Sequence, residues 1–178
     1  NHEDVDLAVL VQTVIEAEYA FVIHTVIAFS GNTGELYAEV VLGLGETLVS
    51  GEPGRALSFT CDKKSLEPRL LTYPNKSRGL YGTGLIFRSD SNAEDLENYA
   101  GAGLYDSFML KGSRREVLLH YRKERLFTDE NFCMEVLRGI TQTGLAVEQA
   151  CGGKAQDVEG VYRDGRFYVV QTRAQMGG

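Results

Sequence analysis

The sequence predicts an α+β fold, mostly antiparallel strands with one long helix. Two patterns carry that reading. Short β-branched and aromatic runs recur between turn-rich clusters of Gly, Asn, Asp and Ser. One segment alone, about Asp129 to Cys151, repeats its apolar residues at helical spacing, with Phe132, Val136, Ile140 and Val147 on one stripe. Strand and helix do not alternate regularly, so a wound parallel sheet is not expected.

In chain order, Leu7 to Ile15 reads as a buried strand and Tyr19 to Phe29 as a second. The cluster Ser30-Gly31-Asn32-Thr33-Gly34 closes that run. Leu36 to Val41 is a third strand, with Glu39 among apolar neighbours, and it leads into Gly43-Leu44-Gly45-Glu46. Glycines there could let backbone approach a phosphate, though in such loops they more often just permit a turn. Arg55 to Cys61 returns as a strand, and residues 62 to 83 are polar and turn-rich, the least structured part. Gly84 to Arg88 is a short strand running into Ser91 and Glu94, which fit a capping box. Tyr99 to Tyr105 is glycine-rich, and Glu116 to Tyr121 is a strand. Thr128 is the expected cap of the long helix, and Gly152-Gly153 its end.

At 178 residues the chain is one domain or a large part of one, with enough apolar content for a core. A formal net charge of −7 argues against a general nucleic-acid surface, so a phosphate site must be locally basic. Cys61, Cys133 and Cys151 form no close-spaced pair and no Cys/His metal pattern, which reads as reduced thiols. No apolar run has membrane length. The chain starts at Asn1-His2 without Met or a targeting segment, and is expected to be a fragment whose address lies upstream.

The most informative stretch is Asp157 to Arg173, a hairpin folded back at Asp164-Gly165. A two-residue turn would pair Arg163 with Arg166 and set Glu159 and Gln171 on opposite faces. A three-residue loop with Gly165 left-handed shifts the register by one. It then gathers Asp157, Glu159, Val161, Phe167, Val169, Gln171 and Arg173 on one face. The expected arrangement is the second, because its open end collects two carboxylates, an amide and a guanidinium. Such oxygens suit Mg²⁺, and an Arg fork suits phosphate. The plain alternative is a solvated polar face. Gln12, inside an apolar strand, could help offer backbone groups to an adenine, but reads more simply as an edge-strand polar residue. Arg88 ends a strand where an anion could sit, or is a surface Arg paired with Glu94 or Asp95. His2, His24 and His120 are scattered, and His24 reads as a satisfied core histidine.

Three blocks then show a resemblance. Phe87-Arg88-Ser89-Asp90-Ser91-Asn92-Ala93-Glu94-Asp95-Leu96, continuing to Ser107, resembles the C-terminal nucleotide-binding domain of the α-glucan, water dikinases. Ala38 to Val49, with Gly43-Leu44-Gly45-Glu46, and Val169-Val170-Gln171-Thr172-Arg173 match the same family in order. The last two blocks are also similar to phosphoenolpyruvate synthase and pyruvate phosphate dikinase.

The resemblance implies an ATP-grasp-like fold, with residues 1–178 as the C-terminal part of the nucleotide-binding domain. It implies ATP and Mg²⁺ as cofactors, β-phosphate transfer through a histidine to starch-like α-glucan, γ-phosphate transfer to water, and a plastid location. By it, Glu159 and Gln171 hold metal, and Arg173 contacts phosphates. Gln12, Thr13 and Val14 line the adenine pocket, and Arg88 is a phosphate contact beside Arg173 in catalysis. The phosphorylated histidine belongs to an upstream domain, as does the glucan contact, and none of the three histidines here matches its motif. The fragment alone is expected to be inactive. Ala174 stands where the family usually has Pro. The alternatives are a phosphoenolpyruvate synthase-like dikinase and a non-catalytic nucleotide-sensing module.

Overall fold

Alternation along successive strands gives a six-stranded sheet two chemically different faces. In this computed structural model the described residues are 7–27, 32–49, 53–91, 95–96, 99–100, 108–110 and 114–175. The strands are β1 (Leu7–Val14), β2 (Tyr19–His24), β3 (Glu35–Leu42), β4 (Leu57–Asp62), β5 (Pro68–Thr72), β6 (Arg78–Gly82), β7 (Gly84–Ser91), β8 (Asp95–Leu96), β9 (Tyr99–Ala100), β10 (Phe108–Met109), β11 (Arg114–Leu118), β12 (Gln156–Arg163) and β13 (Arg166–Ala174). The helices are α1 (Glu46–Val49), α2 (Arg125–Thr128) and α3 (Glu130–Ala150). The α+β reading holds, with every strand pairing antiparallel among those whose register is defined.

Two compact units result. The larger comprises residues 16–81 and 116–178. Its sheet runs β13-β12-β2-β3-β4-β5, and β6 pairs with β11 in a separate ribbon. Phe21, Ile23, Ala38, Val40, Leu57, Phe59 and Val158 all point to one side of that sheet, where they meet Phe132, Val136, Leu137 and Ile140 of α3. Burying such side chains is worth about 1.5–3 kcal/mol each, so this layer carries the unit's stability. Asp129 caps α3, accepting the Phe132 N–H at 3.0 Å. Thr128 does not cap it, because its hydroxyl is used inside α2, donating to the Glu124 carbonyl at 3.1 Å. Gly152 and Gly153 end the helix as expected, at φ 74° and 76°.

The smaller unit comprises residues 1–15 and 82–115. Here β7 lies between β1 and β10. The Leu7–Val14 strand was expected to be buried; it is an edge strand instead, and Val9, Leu10 and Val11 are all exposed. Residues 62 to 83 also depart from expectation, since β5 and β6 both form there. The Ser91–Glu94 capping box and the glycine-rich Tyr99–Tyr105 stretch fall largely outside the described residues.

Candidate functional site: a polar sheet face at the open end of a hairpin

The hairpin closes through two residues, not three. Arg163 pairs with Arg166, and Asp164 and Gly165 take φ 49° and 76°, the two left-handed positions of a type I′ turn. Its neighbours hold it there. The Asp164 N–H donates to the Glu18 carboxylate at 2.7 Å, and Arg163 Nη1 donates to the Glu16 carbonyl at 3.2 Å.

A regular hairpin closed this way would pair Glu159 with Val170. It does not, because the register shifts between Glu159 and Gly160. Gly160 pairs with Val169 but Glu159 with Gln171, so Val170 is the extra residue of a bulge. The strand is a glycine at that position for a reason: a Cβ there would overlap the Phe21 ring and lie 2.8 Å from the Tyr168 carbonyl oxygen. The three-residue loop was therefore wrong, yet the bulge restores the same-face pairing by a different route. Phe167 and Val169 do not join that face. Phe167 packs on the helix side, 5.1 Å from the Tyr162 ring centroid.

Continuing the register across the sheet yields two polar rows on the face away from α3. One runs Gln171, Glu159, Val22, Glu39, Ser58, Thr72. The next runs Arg173, Asp157, His24, Tyr37, Thr60, Arg69. Arg173, Asp157, His24 and Tyr37 of the second row are in contact, each with the next. His24 Nδ1 donates to Asp157 Oδ1 at 2.6 Å, and Arg173 Nε lies 3.5 Å from Asp157 Oδ2. The His24 and Tyr37 rings stack with centroids 6.0 Å apart, and the Tyr37 hydroxyl donates to Glu39 Oε1 at 2.6 Å. Burial and that carboxylate push the Tyr37 hydroxyl up to about 12.

A pocket of about 230 Å³ opens over these rows, lined by Val22, His24, Glu39, Leu48, Asp157, Glu159, Gln171 and Arg173. Ligand pockets for drug-sized molecules run to roughly 300–1,000 Å³, so this one is smaller than a site for a whole drug-sized ligand. Among the described residues, no group of three His, Cys, Asp or Glu side chains is placed to hold a metal.

Glu159, Gln171 and Arg173 are thus brought together. Gln12, Thr13, Val14 and Arg88 belong to the smaller unit: Gln12, Thr13 and Val14 pair with Ile86, Leu85 and Gly84, and Arg88 is half-buried opposite Leu10. Gly43, at φ 78°, is explained by packing, since any Cβ would strike the Leu80 carbonyl, which accepts the Leu44 N–H at 2.7 Å. His24 was misread as a core residue. Its side chain is 40% exposed and faces the pocket. The signal was available, since His24 shares strand parity with Val22, whereas Tyr19, Phe21 and Ile23 take the buried side.

No family model matches the chain. It is 55% identical over 178 residues to the chloroplastic alpha-glucan water dikinase of Citrus reticulata, and 54% identical over the same length to that of Solanum tuberosum. Each alignment takes in 99% of this chain and 12% of the relative. A probable phosphoenolpyruvate synthase of Methanocaldococcus jannaschii is 28% identical over 173 residues, 97% of the chain and 12% of that protein. The chain spans about an eighth of the length of the curated relatives it matches.

Proposed function

Since the chain is a segment of the alpha-glucan water dikinase family, we propose that it is the C-terminal part of an ATP-grasp-like nucleotide-binding domain working within a longer plastid dikinase. In this reading the whole protein moves the β-phosphate of ATP onto a histidine of an upstream domain and from there to α-glucan, while the γ-phosphate goes to water. The observation that supports it is the bulged hairpin, which sets Glu159 opposite Gln171 and Asp157 opposite Arg173 in one pocket.

The donor set fits a magnesium nucleotide. Glu159 and Gln171 offer two oxygens from facing positions of paired strands, about 5 Å apart at the backbone. Mg²⁺ takes one or two carboxylates, keeps several waters and fills its shell with substrate phosphates, so two protein oxygens suffice. Bound there, it would neutralise phosphate charge. Three carboxylates, Glu39, Asp157 and Glu159, share the pocket with Arg173, which disfavours a bare phosphate and favours one that arrives with its cation. Arg173 presents a planar fork that matches phosphate oxygens, and Asp157 steadies its Nε. Gln12, Thr13, Val14 and Arg88, in the smaller unit, are proposed as nucleotide contacts by the family resemblance. A phosphoenolpyruvate synthase-like role is disfavoured by its much lower identity.

Calorimetry tests this. Mg-ATP should bind the full-length protein, and Glu159→Gln combined with Gln171→Ala should remove the magnesium dependence of that binding. Unchanged magnesium dependence in the double variant would refute the assignment. Residues 1–178 alone should bind Mg-ATP weakly or not at all, and micromolar affinity would show a self-sufficient module.

A further inference from the structure

The feature that the proposed roles leave unused is His24. We infer that His24, oriented by Asp157, is the proton acceptor for the water that receives a phosphoryl group in this pocket; this rests on the pocket being a phosphoryl-transfer site.

The ring has no freedom to serve elsewhere. Nδ1 is committed to Asp157 at 2.6 Å, and one face is stacked on Tyr37. A carboxylate on Nδ1 keeps the proton there and leaves a lone pair on Nε2. Nε2 makes no hydrogen bond among the described residues, and the side chain lines the pocket. His24 and Arg173 flank the same carboxylate, so the proton acceptor and the phosphate-binding fork are held in fixed relation by one residue. The imidazole is bonded to Asp157 of β12 and stacked on Tyr37 of β3, and it shares its pocket with Glu39 of β3, Glu159 of β12 and Arg173 of β13.

The step balances. The water oxygen bonds to the terminal phosphorus of the bound polyphosphate, and the bridging P–O bond breaks with its electron pair leaving on the remaining phosphate chain. The water proton passes to Nε2, and orthophosphate departs.

His24→Asn is the informative variant, because the Asn amide can still donate to Asp157 from near the Nδ1 position but has nothing at Nε2. In the full-length protein, orthophosphate release should fall by about 10²-fold or more, with Mg-ATP affinity by calorimetry and the melting temperature little changed. Near-normal release in that variant would overturn the proposal and leave His24 as a partner that merely steadies Asp157. An equal loss of Mg-ATP affinity and turnover would overturn it as well, as a binding role. If that variant does not fold, His24→Gln, whose amide is not a base, takes its place, and the same two readouts decide. Absence of Mg-ATP binding in the wild-type protein would instead count against the nucleotide-site reading.

Discussion

The two faces of the six-stranded sheet are built from alternate residues of the same strands and do opposite work. On one, Phe21, Ile23, Val40, Phe59 and Val158 are almost fully excluded from water under α3. On the other, one residue away in each strand, Val22, His24, Glu39, Asp157 and Glu159 surround a pocket. The buried face has one requirement, close packing, which many apolar residues can meet. The open face needs particular groups at particular rows, and it keeps them in place because the opposite face is rigid.

Substitutions on the two faces should therefore fail in different ways. The largest effect is expected on the covered face. Ile140→Ala leaves a cavity in the core between α3 and the sheet and should cost about 2–5 kcal/mol in denaturant unfolding of the chain. A cost under about 1 kcal/mol would show that α3 is not what holds this face.

Next comes Arg173→Lys, which keeps the charge and loses the fork. In the full-length protein it should slow histidine phosphorylation from β-labelled ATP by about 10²-fold, with ATP affinity nearly unchanged and no loss of melting temperature. A fall in melting temperature matching that of Ile140→Ala would erase the distinction between the faces. Glu159→Gln should show a smaller defect that is partly relieved by raising Mg²⁺, because it weakens ion binding rather than orientation. Single-turnover transfer across a magnesium series measures this, and a defect indifferent to magnesium would assign Glu159 another role.

The smallest effect concerns Tyr37. Its hydroxyl is raised from 10.0 to about 12 by burial and the bond to Glu39. A raised folded value means that the native state holds the proton more tightly than the unfolded chain does. Stability is then intact below pH 10 and is lost as pH rises through about 12. Tyr37→Phe should flatten that alkaline loss in thermal melts between those limits. An unchanged alkaline profile would show that the Tyr37–Glu39 bond adds nothing to the open face.

Much of the fold was legible because burial leaves a periodic trace. The stripe at Phe132, Val136 and Ile140 marked α3, and β-branched runs marked β2, β3, β4 and the hairpin strands. Periodicity reports the side of an element, not what covers it, so the exposed β1 read as buried. Polar strands carry a weaker trace still, which hid β5 and β6. At the site, residue types pointed to Glu159, Gln171 and Arg173, while the strand parity that sets His24 beside Val22 on the open face was outweighed by its apolar neighbours in sequence.

The sequence by itself determined the chemistry of the hairpin and that the chain folds back at Asp164-Gly165, because Asp-Gly between two β-branched runs favours a turn, but not the number of residues in that turn. Tertiary structure alone decided the register. Glu16 and Glu18 anchor the two-residue turn, and the Phe21 ring occupies the space beside Gly160. With Val170 displaced as the extra residue, Gln171 comes to face Glu159. The reason is that strand parity is a sum over the whole hairpin, so a turn and a bulge that each shift it by one residue cancel, and only contacts distant in sequence select both.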